Sequence, residues 1–282
     1  LYIILKMKKN NYNFSHKLME DNINSKDIRV LTKFIKKKPI FTNNKKVLEF
    51  EEAWSKWLGV KYSVFVNSGS SANLLSIAYL KNKFKKGEVI IPTLTWSSDV
   101  ASIFHNNLKP IFVDINLNNL AMSFKEIKKK INKNTIAIFL THILGINGLT
   151  DDIIKLCKNK KILLIEDCCE SHGAKFKSKK IGTYGLISNF SFYFAHHMTT
   201  IEGGIISTNS REVYEICRML RSHGLVREAR NPKIKNYYQK KYKDLNSQFI
   251  FSIPAFNVRS TEINAVLGLN QLKNLNKNIS KR

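Results

Sequence analysis

"KILLIEDCCESHGA", Lys161–Ala174, decides the fold. Four apolar residues run without alternation and end in two acids, Glu166 and Asp167. Such a run reads as a strand buried on both faces, which is the habit of parallel sheets. Ligands of open parallel sheets gather beyond the carboxyl ends of the strands. Asp167 therefore stands, desolvated, where a ligand is expected, and a buried carboxylate needs a cationic partner. An Arg or backbone donors would serve that need as well as a ligand.

Working outward, the same pattern recurs. "YSVFV" (Tyr62–Val66), "EVIIP" ending at Pro92, "PIFVDI" ending near Asp114 and "TIAIFL" (Thr135–Leu140) read as strands. Between them, "SSANLLSIAYL" (Ser70–Leu80), Ser97–His105 and a segment from Asp151 read as helices. "REVYEICRMLRSHG" is an amphipathic helix with a C-cap signal at Gly224, and "STEINAVLGLNQL" opens on Ser260 or Thr261 as N-cap. This alternation predicts an α/β fold with a mostly parallel central sheet sandwiched by helices. "REARNPKIKNYYQKKYKDLNSQ" (Arg227–Gln248) has no apolar period and reads as a long loop.

Composition narrows the function classes. The formal charge is +26 over 282 residues. Its lysines are spread evenly, with only short clusters such as Lys36–Lys38, and no zinc-finger, RNA-recognition or basic-zipper signature accompanies them. A Lys/Asn/Ile-rich coding bias explains the charge better than nucleic-acid binding, and a basic surface suits an anionic substrate. No apolar run approaches the ~20 residues of a membrane span. The opening "LYIIL" is too short for a signal peptide, so Met7 reads as the start and the location as cytoplasmic. The four cysteines include no C-x-x-C pair, and Cys168 and Cys169 point to opposite sides of an extended chain. They read as reduced structural thiols, with no metal site expected.

Three further stretches carry chemistry. In "NSGSSANLL" (Asn67–Leu75), Gly69 and Ser70 open a helix and leave N–H groups free to cradle an anion, unless they form only an ordinary cap. Trp96, in "PTLTWSS", follows a strand at the same edge and can stack on a planar ring. "FSFYFAHHMTTIEGG" (Phe190–Gly204) places Ser191 and His196 on one approach and contains no lysine.

As an ordered set, these motifs resemble the DegT/StrS-type sugar aminotransferases, pyridoxal-phosphate enzymes of fold type I. The likeness runs from Val47 to Leu272 and rests on S-G-S before a helix, E-D-x-x-E-S-x-G-A, F-S-F, the E-G-G turn and N-x-R-x-x-E-x-x-A. The resemblance implies a cofactor phosphate on Gly69, Ser70 and Ser191, a ring stacked on Trp96, and a ring nitrogen on Asp167. It also implies that Glu170 orients the cofactor and that Asn257 reaches the phosphate of a partner subunit in a homodimer. It divides the chain into an N-terminal segment (1–46), a large cofactor-binding domain (47–272) and the start of a C-terminal portion (273–282), with the family's small C-terminal domain absent.

One position departs from the family. The lysine that ordinarily anchors the cofactor covalently is replaced by His196, and no lysine occurs between Lys180 and Lys233. Imidazole cannot form that bond but is an effective base near neutral pH. The same replacement marks the family's nucleotide-sugar 3-dehydratases. That resemblance implies free pyridoxamine 5'-phosphate, regenerated from pyridoxal 5'-phosphate by glutamate, acting on a nucleotide-linked 4-keto-6-deoxy sugar. His196 would be the base, and His223 would assist loss of the C3 hydroxyl or else merely face a helix dipole. An aminotransferase using a distant lysine and a non-catalytic cofactor-binding relative are the alternatives. An iron–sulfur dehydrase is disfavoured by the cysteine spacing. His197, on an extended backbone, would face away from His196.

Overall fold

The computed structural model describes residues 22–281; Met7 and the opening apolar run lie outside them. The described residues open with α1 (Ser25–Ile35) and α2 (Lys45–Leu58). It continues through β1 (Tyr62–Val66), α3 (Gly69–Phe84), β2 (Glu88–Pro92), α4 (Ser97–His105), β3 (Lys109–Val113), α5 (Phe124–Lys130) and β4 (Thr135–Thr141). Then come α6 (Asp151–Lys160), β5 (Leu163–Asp167), a small hairpin of β6 (Lys175–Phe176) and β7 (Lys179–Lys180), β8 (Ile187–Ser191) and β9 (Gly204–Thr208). The last elements are α7 (Arg211–Arg221), α8 (Pro232–Lys241), α9 (Glu262–Leu272) and α10 (Leu275–Lys281).

One seven-stranded sheet organises these elements, in the order β1-β9-β8-β5-β4-β2-β3. Pairings among β3, β2, β4, β5 and β8 are parallel, while β9 is antiparallel to both β8 and β1. Alternation along the strands divides the apolar side chains between two cores. Ala137 and Phe139 of β4 join the core that contains Leu75 of α3, Ile103 of α4 and Val213 of α7. Ile138 and Leu140 join the core that contains Trp54 of α2, Ile153 of α6 and Ala265 of α9. Both faces of the sheet are thus covered, and strands buried on both faces lack polar alternation.

Two buried carboxylates tie distant segments together. Glu262, at the start of α9, accepts the N–H groups of Asn44 (3.0 Å), Lys46 (2.9 Å) and Val47 (2.8 Å), so it satisfies the open end of α2. Glu51 of α2 accepts from the wholly buried Arg221 of α7 at 2.6 Å and from Phe65 N–H at 2.8 Å.

The sequence reading of Arg227–Gln248 as a loop is corrected. Pro232–Lys241 forms α8, started by the Asn231 side chain accepting Lys233 N–H at 3.0 Å and by Pro232 in the first turn. It buries no residue, so no apolar period could reveal it; the Asn-Pro start was the available signal. Thr261 is the N-cap of α9, its side chain accepting Asn264 N–H.

Candidate functional site

The carboxyl ends of β4, β5 and β8 meet the N-termini of α3 and α4 at one edge of the sheet. Asp167 ends β5 there and is 3% exposed. Its Oδ1 accepts Cys169 N–H at 2.8 Å, and its Oδ2 accepts the Asn73 side-chain amide at 3.1 Å. Two N–H donors hold the carboxylate in one orientation and leave it lone pairs for a further donor.

The anion cradle lies beside it. Ser68 caps α3, its Oγ accepting Ser71 N–H at 3.0 Å. The N–H groups of Gly69 and Ser70 have no acceptor among the described residues. Ser191, at the end of β8, closes one side: a Cβ built on Gly69 would lie 2.6 Å from Ser191 Cβ. The E-G-G turn explains itself at this point. β9 starts directly beneath the cradle, and a Cβ on Gly204 would stand 2.1 Å from Ser68 O. Only glycine permits that approach.

His196 lies in the segment between β8 and β9. Its N–H donates to Tyr193 O at 3.0 Å, and its carbonyl accepts from Asn22 at 3.2 Å. The backbone there is a turn rather than an extended strand, which corrects the expectation for His197. Both imidazoles approach buried His172, with ring centroids 6.0 Å (His196) and 5.2 Å (His197) away. Asn264 of α9 pins the rest of the segment, donating to Thr200 O at 2.6 Å and to Glu202 O at 3.1 Å.

The other expected residues divide. Trp96 stands immediately before α4 and is 62% exposed, so its ring is open to a ligand. Glu170 accepts Leu144 N–H at 2.6 Å and thereby ties the turn after β5 to the turn after β4. His223 and Asn257 lie on a neighbouring strip, which reaches the cradle where Asn67 N–H donates to Val258 O at 3.0 Å. Both are exposed, on a strip where Ser222 bridges Asn257. His223 has φ of +58° and lines a cavity of about 500 Å³ with Arg227, Phe249, Phe251 and Arg259. None of the strand-end residues lines that cavity.

The sequence reading missed the polar layer behind Asp167. Asn73 of α3 also donates to Asp99 Oδ1 at 2.5 Å, and Asp99 Oδ2 meets the hydroxyls of Thr95 (2.5 Å) and Thr141 (3.0 Å). Burial and the neighbouring Asp167 charge push the Asp99 carboxyl well above the usual carboxylate range. An Asp in the first turn of a helix ordinarily marks only a favourable dipole, so position alone gave no warning. Burial, together with the Asp167 charge, also pushes the Cys169 thiol up, and Cys168 likewise, which keeps both as neutral thiols.

A second buried cluster, His142, Glu166 and Cys168, has metal-ligand types at close range. Its carboxylate already accepts N–H groups from Gly182 (2.8 Å), Tyr184 (3.0 Å) and Gly185 (2.6 Å). His142 Nδ1 accepts Gly148 N–H at 3.0 Å. Those donors make the cluster a brace for the Gly182–Gly185 turn.

Comparison with known proteins gives a consistent answer. The chain is 39% identical over 242 residues to GDP-4-keto-6-deoxy-D-mannose 3-dehydratase of Yersinia pseudotuberculosis, covering 84% of this chain and 61% of that one. It therefore spans about three fifths of the length of that relative. The solved structure of the E. coli GDP-4-keto-6-deoxy-D-mannose-3-dehydratase with bound hydrated PLP superposes with a TM-score of 0.85 at 33% identity, over 94% of this chain and 69% of that one. A structure of GDP-4-keto-6-deoxymannose-3-dehydratase with a trapped PLP-glutamate geminal diamine superposes at 0.84 with 33% identity, over 93% of this chain and 69% of that one. The fold is that of the fold-type I pyridoxal-phosphate enzymes. The profile of the DegT/DnrJ/EryC1/StrS aminotransferase family matches residues 21–282, and the chain belongs to that family.

Proposed function

We propose that the chain is the cofactor-binding part of a nucleotide-sugar 3-dehydratase, which removes the C3 hydroxyl of a nucleotide-linked 4-keto-6-deoxy sugar with pyridoxamine 5'-phosphate, regenerated by glutamate. One observation carries the reading: the segment from β8 to the E-G-G turn, where the family ordinarily has its anchoring lysine, offers His196 and no lysine.

The residues present fit the cofactor. The unengaged N–H groups of Gly69 and Ser70, beside the Ser191 hydroxyl, suit a phosphate at the positive end of α3. A Cβ at Gly69 would fill part of that cradle. Asp167 is buried and oriented by two N–H donors.

Bound pyridoxamine phosphate supplies an amine that condenses with the sugar ketone and a ring that accepts electrons. Asp167 would hold the ring nitrogen and favour its protonated form, and Trp96 would cover the ring. His196 would take a proton from the carbon that bears the cofactor's amine and pass it to the C3 hydroxyl, which would leave as water as the freed electron pair moves into the sugar. The segment that carries His196 has no lysine to recapture the product as a stable amine. Asn257 and His223, exposed on a strip beside the cradle, belong on this reading to the site of a partner subunit in a homodimer.

The test is the mass of the product. The protein is incubated with pyridoxal phosphate, glutamate and GDP-4-keto-6-deoxymannose, using the full reading frame. A product lacking the C3 oxygen, with release of ammonia, is expected. An amino sugar that keeps its 3-hydroxyl would make the protein an aminotransferase and remove His196 from its role.

A further inference from the structure

Three oxygens behind Asp167 have more contacts than their hydroxyl protons can supply. Thr95 Oγ1, Thr141 Oγ1 and Asp99 Oδ2 form a triangle with sides of 2.7, 3.0 and 2.5 Å. Two threonines bring two hydroxyl protons for three contacts. If both hydroxyls donated to an ionised Asp99, the two threonine oxygens would face each other at 2.7 Å with no proton between them. A proton on Asp99 completes the ring, each oxygen donating once and accepting once.

The partners of the two carboxylates decide which one holds that proton. Asp167 accepts N–H groups from Cys169 and Asn73, which cannot take a proton from it, and its other hydrogen-bonding neighbours are the Cys169 thiol and Asp99 itself. Asp99 meets two hydroxyls, which can. The Asn73 amide spans the pair, donating to Asp99 Oδ1 and Asp167 Oδ2, so the carboxylates are neighbours. Both are buried, at 0% and 3% exposed, and two such groups cannot both ionise cheaply. The α4 dipole favours an anion at Asp99, but a like charge this close in a buried site outweighs it. Asp167 and the neutral thiol of Cys169 are the titratable groups facing Asp99 among the described residues.

We propose that Asp99 is a positioning residue held as a neutral carboxylic acid behind Asp167, so that the pair presents its single negative charge on Asp167, toward the ring nitrogen of the cofactor. The proposal rests on the assignment of Asp167 to that nitrogen. Asp99 takes the proton that Asp167 would otherwise share, and Asn73 transmits the arrangement. The function of the layer is to keep one fixed charge, neither zero nor two, against the ring.

The proton is read in the apo protein by infrared spectroscopy at neutral pH. Wild type is expected to show the carbonyl stretch of a buried carboxylic acid, and Asp99→Asn to lose it. In cofactor titrations, Asp99→Asn, whose carboxamide imitates the neutral acid, should bind pyridoxamine phosphate within about threefold of wild type. Asp167→Asn should lose at least about tenfold, as for a charge-assisted hydrogen bond. With ¹⁵N-labelled cofactor, the ring nitrogen should remain protonated in Asp99→Asn. Absence of the acid band from wild type, or its survival in Asp99→Asn, overturns the proton assignment. A loss in Asp99→Asn as large as in Asp167→Asn overturns the division of roles. A wild-type protein that shows the band but binds no pyridoxamine phosphate overturns instead the reading of the site, and with it any role of Asp99 toward a ring.

Discussion

At the scale of single residues, His196 and Asp99 make opposite demands on substitution. His196→Asn keeps a polar side chain of similar reach but cannot take a proton. Cofactor binding is expected to stay near wild type while turnover falls by at least about a hundredfold, the usual worth of a general base. Equilibrium titration beside a product assay separates the two effects, and retained turnover would remove His196 as the base. Asp99 shows itself in stability instead. Burial and the Asp167 charge raise its folded pKa well above the ordinary carboxylate value of 3.8, so the folded state retains a proton that the unfolded chain releases. Stability from this group is complete below that value and is lost as pH rises toward the folded pKa. Over that window the advantage of wild type over Asp99→Asn should shrink by about 1.4 kcal/mol per pH unit. Urea unfolding at several pH values checks it; a difference independent of pH would show that Asp99 ionises alike in both states. Asp167 was legible in the sequence because a charge that ends an apolar run is conspicuous. Asp99 was not, because Asn73 of α3 and Thr141 of β4 lie near it only once three elements have converged.

At the scale of elements, the turn before β9 is the tightest fit in the site. A methyl group on Gly204 would meet backbone atoms of Ser68 and Gly69 within 2.1–2.5 Å, and neither segment can yield as a flexible side chain would. Gly204→Ala should therefore displace the cradle. A stability loss of about 1–3 kcal/mol is expected, as for overpacking elsewhere, together with weaker cofactor binding. A melting curve and an absorbance titration measure both, and unchanged binding would detach β9 from the cradle. The strands β1 to β5 could be read as short apolar runs, and α7 from its one apolar face. α8 could not, since it buries nothing, and the turn carrying His196 and His197 could not, since its geometry depends on Asn22, Asn264 and the ring of His172.

At the scale of the whole molecule, the two cores are linked through charge. Arg221 is wholly buried and its cation is balanced by Glu51, with Arg218 3.5 Å from the same carboxylate. Glu51→Gln leaves a buried guanidinium without its counter-ion and should cost about 3–5 kcal/mol, the common result of breaking a buried pair from one side. The midpoint of urea unfolding gives the value directly, and a shift near zero would mean that the Phe65 carbonyl alone satisfies the arginine. No sequence pattern announces this pair, because its members stand 170 positions apart. The architecture was readable from strand–helix alternation, but the reversal of β9 was not, since a short apolar run does not record its direction.

The position of β1 has a consequence for the order in which the protein assembles. Among the described residues β1 pairs in the sheet only with β9, which follows it by about 140 residues, and α2 receives its cap from Glu262 later still. Of the described strands of this sheet, β1 leaves the ribosome before the others and waits for nearly all of them before it has a neighbour. The parallel unit from β2 to β8 closes over shorter separations and is expected to form before it. Contacts so distant in sequence slow folding. Pulse-labelled hydrogen exchange during refolding should find the β2, β4 and β5 amides protected first and those of β1 last. β1 runs directly into the phosphate cradle through Asn67 and Ser68, so the ability to hold a cofactor should be among the last properties a newly made chain acquires.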